Sequence, residues 1–228
     1  MNKELQIKTA VEKFEALIRK QQERAERIRA EKEYTDYKKL DKLIIGVCGG
    51  DGIGPVITNE AARVLEFLLK DEVEAGKVEF RTINGLTIEN RAAAGKAIPD
   101  DVLAELKKCH VILKGPTTTP RAGDEWPNIE SANVAMRKEL DLFCNMRPVR
   151  VPEQGIDWTF FRENTEGGYA VGSEGQHITD DLAVDFVVAT TEGCERIARL
   201  AYEYAKNNGK ERVSIITKAN VIKTTDGK

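Results

Sequence analysis

Three short segments in the middle of the sequence combine arginines with small polar residues. They are Ser131-Ala132-Asn133-Val134-Ala135-Met136-Arg137, Arg147-Pro148-Val149-Arg150, and Arg162-Glu163-Asn164-Thr165-Glu166-Gly167-Gly168-Tyr169. A guanidinium group makes forked, bidentate contacts with a carboxylate, so several such arginines predict a site for a small polyanion. If residues 131–138 are helical, Asn133 and Arg137 lie four residues apart and share a face. Alternatively, each arginine is an ordinary ion-pair partner at the surface.

Two further polar segments each follow an apolar run that is typical of a strand. Gly115-Pro116-Thr117-Thr118-Thr119-Pro120 comes after residues 111–113, and Lys218-Ala219-Asn220 comes after Val213–Thr217. Open α/β sheets bind ligands at the carboxyl ends of their strands, and a lysine beside other cations can act as a base. The alternatives are a polar loop shaped by its two prolines and an ordinary surface lysine.

A glycine-rich turn, Gly50-Asp51-Gly52-Ile53-Gly54-Pro55, links a predicted strand to a predicted helix. A dinucleotide-binding fingerprint would require Gly-x-Gly-x-x-Gly at this place. The third glycine is missing, and Pro55 lacks the backbone N–H that could bind a phosphate. The segment on its own therefore also fits a tight strand-to-helix turn without a ligand.

Strands and helices alternate around these segments, which predicts an α/β protein with a largely parallel sheet. The predicted strands are Leu43–Cys48, Val78–Ile83, Cys109–Leu113, Leu140–Val149, Thr159–Phe161 and Val213–Thr217. The predicted helices are Val56–Leu69, Pro99–Lys107, Ser131–Lys138 and Thr191–Asn207. Pro55 suits the first turn of its helix, and Gly209 suits the end of the last one. Residues 167–181, rich in Gly, Ser and Asp, predict a loop outside the sheet.

Residues 3–33 contain neither glycine nor proline and predict one long helix. Its apolar positions recur at steps of three and four residues, namely Ile7, Val11, Phe14, Leu17 and Ile18. From residue 19 onward most side chains are charged, with both signs present. This pattern favours a solvated helix whose first half packs on the rest of the protein. The alternatives are a helix for oligomerisation or partner binding and a nucleic-acid-binding arm.

The composition restricts the class of protein. The chain has 228 residues, 41% hydrophobic and 32% charged, with a net charge of −3, so it has no general attraction for nucleic acid. No apolar run approaches the ~20 residues of a membrane span, and the N-terminus has neither a secretory nor a transit-peptide composition. The four cysteines lie far apart and indicate reduced thiols rather than disulfides or a zinc site: Cys48, Cys109, Cys144 and Cys194. We therefore expect a soluble, cytoplasmic protein.

Residues 42–228 resemble the β-decarboxylating dehydrogenases, which act on isocitrate, 3-isopropylmalate, homoisocitrate or tartrate. The resemblance depends on the order of four motifs, which are Gly50-Asp51-Gly52-Ile53-Gly54-Pro55, Arg147-Pro148, Arg162-Glu163-Asn164-Thr165-Glu166-Gly167 and Lys218-Ala219-Asn220. It implies an isopropylmalate dehydrogenase-like fold, which is a non-Rossmann α/β fold with a second small α/β domain and a clasp loop. The Ser-x-Asn-x-x-x-Arg pattern looks like the isocitrate version of the substrate-binding helix.

The same resemblance implies a reaction and the residues that perform it. A 2-hydroxy acid is oxidised by NAD or NADP and then loses its β-carboxylate with the help of Mg2+ or Mn2+. The substrate would be bound by Ser131, Asn133, Arg137, Arg147 and Arg162, and the cofactor by Thr118, Thr119 and Asn220. Lys218 would accept the hydroxyl proton, and Tyr169 would protonate the enol carbon.

The resemblance also implies a domain organisation and an assembly. Residues 1–41 would form a helical extension, residues 42–140 the first part of the large domain, and residues 141–228 a small domain. A clasp-like loop at about residues 163–183 would join subunits into a homodimer or a higher homo-oligomer. We expect a small-molecule substrate, with neither nucleic acid nor a membrane as partner.

Two features depart from the family pattern. Residues 121–130 form a longer stretch than typical bacterial isocitrate enzymes have, and the aspartates that bind the metal would lie beyond Lys228. We therefore expect the chain to be incomplete at its C-terminus. The alternatives to an isocitrate dehydrogenase are an enzyme for 3-isopropylmalate, homoisocitrate or tartrate, and a non-catalytic regulatory subunit.

Overall fold

The computed structural model describes residues 3–30, 35–121, 123–172 and 175–228, and they form two compact units. One unit comprises residues 35–140. The other combines the N-terminal helix α1 (Lys3–Ala30) with residues 141–228. None of the helices in these described ranges is both long enough and apolar enough to cross a membrane.

The unit of residues 35–140 is an α/β layer structure. Its strands are β1 (Leu43–Cys48), β2 (Val78–Thr82) and β3 (Val111–Lys114), and its helices are α2 (Gly54–Leu68), α3 (Lys70–Glu74), α4 (Ile88–Ala94), α5 (Asp100–Leu106) and α6 (Ala132–Glu139). The strand order is β2-β1-β3, and both pairs are parallel. Ile45 of β1 lies opposite Phe80 of β2 and Val111 of β3. The predicted α/β class with a parallel sheet is confirmed.

The apolar core of this unit lies between the sheet and helices α5 and α6. Its buried members are Cys48, Ile83, Leu86, Ile98, Val102, Leu106, Ala132, Ala135 and Met136. A buried leucine or isoleucine contributes about 1.5–3 kcal/mol relative to an exposed one. Because α6 buries Ala132, Ala135 and Met136 in this core, the helix that carries Asn133 and Arg137 has a fixed orientation.

The connections after β1 and β3 pack against each other through their backbones. A Cβ on Gly115 would lie 2.0 Å from the carbonyl oxygen of Gly49 and 2.6 Å from the hydroxyl of Thr58. Gly50 has a φ of +73°, which L side chains rarely adopt. The glycines are therefore required by this close approach, as expected of a tight strand-to-helix turn, and Pro55 lies in the first turn of α2.

The other unit contains two antiparallel strand pairs and a long helix. β4 (Cys144–Val151) pairs with β5 (Ile156–Glu163), and β6 (Gln176–Thr179) pairs with β7 (Leu182–Val184). Helix α7 (Thr191–Asn207) packs on one face of the β4–β5 hairpin, where Tyr204 contacts the ring of Phe161 at a centroid distance of 5.2 Å. The predicted bounds of α7 are confirmed, and Gly209 after it has a φ of +62°.

Two strand predictions in this unit differ from the structure. Residues 213–217 are not a strand, because they pair with no strand in the described chain, and Ile215 and Ile216 are exposed. The strand predicted from Leu140 begins only at Cys144, since Asp141, with a φ of +45°, is part of a turn that interrupts it. Arg147 lies in the middle of this strand, which continues to Val151.

The segment predicted as a loop at residues 167–181 is only partly irregular. It contains a short 3-10 turn at Gly168–Ala170 and most of the β6–β7 hairpin, which is a separate sheet from β4–β5. Ser173 and Glu174 lie outside the described residues. The excursion from the main hairpin is confirmed, and its clasp function stays a prediction, as does the assignment of domain roles.

The apolar face predicted for the first half of helix α1 packs only in part. Leu17 is buried, and Phe14 stacks on Phe186 at a centroid distance of 4.3 Å, whereas Ile7 and Val11 are more than half exposed. Residues 31–33 of the predicted helix lie outside the described residues.

Candidate functional site

The hydroxyl-rich loop after β3 is held by Asp51 from the glycine turn. One carboxylate oxygen of Asp51 accepts a hydrogen bond from the backbone N–H of Thr118 at 2.7 Å. The other accepts from the backbone N–H of Ile88, at the start of α4, also at 2.7 Å. Thr118 and Thr119 are exposed at the carboxyl end of the parallel sheet. Sequence reasoning predicted the position of the two threonines but missed the residue that holds them.

Arg91 is a second residue that sequence reasoning missed. Its side chain is 0% exposed, and it donates to three backbone carbonyls: Nε to Ala97 at 2.8 Å, Nη1 to Thr118 at 2.7 Å, and Nη2 to Glu130 at 3.1 Å. Burial lowers the pKa of Arg91, and the Asp51 carboxylate opposes that shift. Arg91 therefore joins the threonine loop to the segment that leads into α6. The sequence hints at this role only through the position of Arg91, which directly precedes three alanines in α4.

The predicted substrate-binding residues of α6 lie at the beginning and in the body of that helix. Ser131 occupies the N-cap position, and Asn133 is exposed while Arg137 is half-buried. The helical prediction for residues 131–138 is confirmed, so Asn133 and Arg137 share a face. Their ligand-binding role stays a prediction.

Lys114 adds a positive charge at the same end of the sheet. Its Nζ donates to the carbonyl of Gly115 at 2.8 Å and to the hydroxyl of Thr117 at 3.1 Å. Burial lowers the pKa of Lys114, and the cations Arg91 and Arg137 lower it further. Three basic side chains near exposed hydroxyls make this a favourable environment for an anionic ligand.

In the other unit, one face of the β4–β5 hairpin brings two predicted arginines together. Asn145 lies opposite Arg162 in the strand register, and Asn145 Oδ1 accepts a hydrogen bond from Arg147 Nε at 2.8 Å. The guanidinium of Arg162 lies 5.1 Å from the centroid of the Tyr169 ring. Asn145, Arg147, Arg162 and Tyr169 thus form one cluster. Asn145 was not among the predicted site residues.

The segment between Arg162 and Tyr169 is fixed by carboxylates that bind backbone amides. Glu163 Oε2 accepts hydrogen bonds from the N–H groups of Thr165 at 2.8 Å and Glu166 at 2.6 Å. Asn164, Thr165 and Glu166 are all buried. The motif residues between Arg162 and Tyr169 therefore stabilise the backbone conformation of this segment.

Lys218 and Asn220 are exposed in a turn rather than at the end of a strand. The carbonyl of Lys218 accepts hydrogen bonds from the N–H groups of Val221 and Ile222, at 2.9 Å each. Its own N–H donates to Asp226 Oδ2 at 2.8 Å. The strand predicted before Lys218 is wrong, because residues 213–217 pair with no strand in the described chain. The role of Lys218 as a base stays a prediction.

Divalent-metal ligands were expected outside this chain. In the described ranges, His, Cys, Asp and Glu side chains form no group of three or more that could hold a metal ion. These residues therefore do not fit a complete metal site.

A parallel sheet with hydroxyl and basic groups at its carboxyl end is typical of α/β enzymes that bind small anionic ligands. A family model described as isocitrate/isopropylmalate dehydrogenase matches residues 44–227. The chain belongs to this family. Helix α1 lies outside the matched residues.

The relatives agree with this assignment. The chain is 34% identical over 197 residues to a homoisocitrate dehydrogenase of Methanocaldococcus jannaschii, covering 79% of this chain and 53% of that protein. It is 35% identical over 216 residues to an NADP isocitrate dehydrogenase of Caldococcus noboribetus, covering 82% and 49%. The crystal structure of isocitrate dehydrogenase from Methylococcus capsulatus matches with a TM-score of 0.63 and 31% identity, covering 81% and 54%. The chain spans about half the length of the relatives it matches.

We expect Arg91→Met to destabilise the unit of residues 35–140 by about 2–5 kcal/mol, because three hydrogen bonds from a fully buried guanidinium to backbone carbonyls are lost. Urea denaturation in a Trp158→Phe background, followed by the fluorescence of Trp126, which lies between Thr118 and Glu130, measures this loss. Arg63→Met is the matched control, since Arg63 is exposed and pairs along its own helix with Glu60. Equal midpoints for the two variants would show that Arg91 does not hold these loops.

Proposed function

We propose that this chain contributes the substrate-binding and proton-transfer residues of an NAD(P)-dependent isocitrate dehydrogenase. The cluster of Arg147, Arg162 and Tyr169 is the observation that carries the proposal, because it combines carboxylate-binding groups with a proton donor. Relatives described as NADP isocitrate dehydrogenases support the reaction class. The Ser131–Asn133–Arg137 pattern on α6 supports isocitrate as the substrate.

In this proposal, the three arginines bind the carboxylates of isocitrate. Arg147 and Arg162 are exposed on one face of the hairpin, so their guanidinium groups are accessible to a ligand. Arg137 projects from α6, four residues after Asn133. Ser131 and Asn133 hydrogen-bond the additional carboxylate that distinguishes isocitrate from smaller hydroxy acids.

Two proton transfers accompany the proposed reaction. Lys218 accepts the proton of the C2 hydroxyl group as hydride leaves C2, which produces a β-keto acid. Loss of carbon dioxide leaves its bonding electrons on the adjacent carbon, and Tyr169 donates a proton there. The phenolate of Tyr169 regains its proton from water. The nearby Arg162 guanidinium stabilises that phenolate while it exists.

The nicotinamide cofactor supplies the hydride acceptor when it is bound. Thr118 and Thr119 would hold its nicotinamide end, since their exposed hydroxyls follow β3 and their backbone is fixed by Asp51 and Arg91. Asn220, exposed in the turn after Lys218, would provide a further amide contact. The described residues do not fit a divalent-metal site, so none of the steps proposed for them involves a metal ion.

Homoisocitrate is a second candidate substrate. The homoisocitrate dehydrogenase of Methanocaldococcus jannaschii is as similar to this chain as the isocitrate enzymes are. The two acids differ by one methylene, which in a binding pocket is worth about 10- to 200-fold in kcat/KM.

Kinetics with a panel of hydroxy acids tests the proposal. We expect the product of the complete gene to oxidise isocitrate with a kcat/KM at least about tenfold above that for homoisocitrate, 3-isopropylmalate and tartrate, with NAD or NADP and Mn2+. We expect the 228-residue chain alone to be inactive, since the described residues provide no metal site. Preference for homoisocitrate would establish the second candidate, and no turnover of any acid by the complete product would indicate a regulatory subunit.

Arg137→Lys should weaken isocitrate binding in the complete gene product. Lysine keeps the positive charge but cannot form the bidentate fork, so we expect a loss of about 1.5–3 kcal/mol in transition-state binding, read from kcat/KM. Lys138→Arg is a neighbouring control, because Lys138 lies on the same helix as Arg137 and pairs with Glu130, which precedes that helix. Unchanged kinetic constants in Arg137→Lys would mean that Arg137 is an ordinary surface residue.

Lys218→Met and Tyr169→Phe should affect different steps. Lys218→Met should abolish hydride transfer in both directions, including reduction of an added keto acid. Tyr169→Phe should slow overall turnover and leave reduction of the keto acid comparatively intact. Stopped-flow measurement of nicotinamide absorbance separates the two steps, and equal losses of both in Tyr169→Phe would contradict the division of roles.

The same two variants test the proposed homodimer. If Lys218 and Tyr169 of different subunits act together, mixing Lys218→Met with Tyr169→Phe should raise overall turnover above the sum of the two variants alone, through heterodimers. Absence of recovery after verified subunit exchange would contradict a site shared between subunits.

A further inference from the structure

Helix α1, which lies outside the family-matched residues, makes a buried ionic contact with the motif that precedes Tyr169. Arg24 Nη1 donates to Glu166 Oε1 at 3.0 Å, and Arg24 Nη2 donates to Thr165 Oγ1 at 2.8 Å. The side chain of Arg24 is 15% exposed and that of Glu166 is 6% exposed. By contrast, the ion pair of Arg29 with Glu192 leaves the arginine 68% exposed.

Glu166 is a buried carboxylate at the beginning of α7. It accepts hydrogen bonds from the backbone N–H of Thr190 at 3.0 Å and from the Thr190 hydroxyl, and Thr190 is the N-cap of α7. A Cβ on Gly193 would lie 2.2 Å from Glu166 Oε1, so the carboxylate fills the space that this glycine leaves. Removing a carboxylate from water is costly unless a cation pairs with it, and Arg24 is the cation in contact.

The contacts of this segment extend from Glu166 to Tyr169. The N–H of Tyr169 donates to the carbonyl of Glu166 at 3.2 Å, and the N–H of Gly167 donates to the carbonyl of Val188 at 2.8 Å. Thr165 Oγ1, the second acceptor of Arg24, also accepts from Arg196 Nη2 at 3.0 Å. The Tyr169 ring then lies against the guanidinium of Arg162. Arg24 is therefore connected to Tyr169 through continuous contacts within one unit.

We propose that α1 is a positioning element for residues 165–169, and that Arg24 is the positioning residue that holds Tyr169 against Arg162 through Glu166 and Thr165. Only the catalytic consequence depends on the proposed function of Tyr169. The structural consequence stands on the contacts alone. In this role, the N-terminal helix supports the segment that carries the proposed proton donor, and it is more than a solvated extension.

Amide hydrogen exchange of the 228-residue chain tests the structural consequence. Arg24→Met should accelerate exchange at the N–H groups of Gly167, Tyr169 and Thr190 by about 10- to 100-fold, because the buried carboxylate loses its cation and the segment opens. The amides of the β4–β5 ladder should keep their protection. Arg19→Met is the matched control, since Arg19 lies on the same helix, is 71% exposed and pairs with Glu15.

Two further variants separate positioning from general stability. Arg24→Lys should retain most of the protection, because an ammonium group still neutralises Glu166. Glu166→Gln combined with Arg24→Met should exchange more slowly than Arg24→Met alone, because the buried charge is gone. Unchanged exchange in Arg24→Met, equal loss of protection across the β4–β5 ladder, or no rescue by either variant would overturn the proposal.

Kinetics of the complete gene product separate this inference from the proposed function. Arg24→Met should lower overall turnover while reduction of the keto acid is retained, as for Tyr169→Phe, and Arg24→Lys should restore turnover. Faster exchange without any change in turnover would confirm the positioning of the segment and refute the catalytic role of Tyr169. Unchanged exchange together with normal turnover would refute the positioning and leave that role intact.

Discussion

The guanidinium of Arg91 is the contact on which the arrangement of residues 116–121 and 123–131 depends. It is fully buried and donates to three carbonyls, one in the α4–α5 connection and two in the β3–α6 connection. The backbone N–H and C=O groups of a loop have no neighbouring strand to hydrogen-bond. Each such group that is buried without a partner lowers the free energy of unfolding by about 1–3 kcal/mol. Arg91 satisfies three carbonyls at once, and Asp51 satisfies two amide groups beside it. The backbone around the exposed hydroxyls of Thr118 and Thr119 is consequently fixed without a strand.

In the unit that contains Tyr169, ionic side chains also satisfy backbone groups, but here the side chains are carboxylates and the backbone groups are N–H donors. Here the half-buried carboxylate of Glu163 and the buried carboxylate of Glu166 accept hydrogen bonds from backbone N–H groups, and arginines from two helices contact the segment. Arg196 of α7 also pairs with Asp141, whose left-handed backbone ends the preceding turn. In both units, buried ionic groups define irregular backbone that apolar packing alone would leave underdetermined.

The exposure of the arginines separates two kinds of role. Arg91, Arg196 and Arg24 are buried or nearly so, and they donate to groups of the protein itself, although the buried Nε of Arg196 has no acceptor among the described residues. Arg147 and Arg162 are exposed on a hairpin face, with donors accessible to a ligand. A substrate-binding arginine needs unsatisfied donors, whereas a structural arginine has most of its donors satisfied by the protein. This contrast supports the assignment of substrate binding to the exposed pair.

Much of the fold could be predicted because its determinants are local. The strand Leu43–Cys48 and the helix Thr191–Asn207 follow from apolar runs, periodicity and flanking glycines, and the ordered motifs identified the family. The strand predicted at Val213–Thr217 failed because a strand also requires a neighbour, which no local pattern can reveal.

The candidate site likewise contains residues that the sequence could indicate and contacts that it could not. Residue chemistry and motif order were sufficient to select Arg147, Arg162 and Tyr169. Three contacts were decided only by the tertiary structure: Asn145 lies opposite Arg162 across the strand pair, Arg91 donates to Glu130, and Arg24 donates to Glu166. These partners are distant in sequence or lie on another strand, and such contacts depend on distance in space.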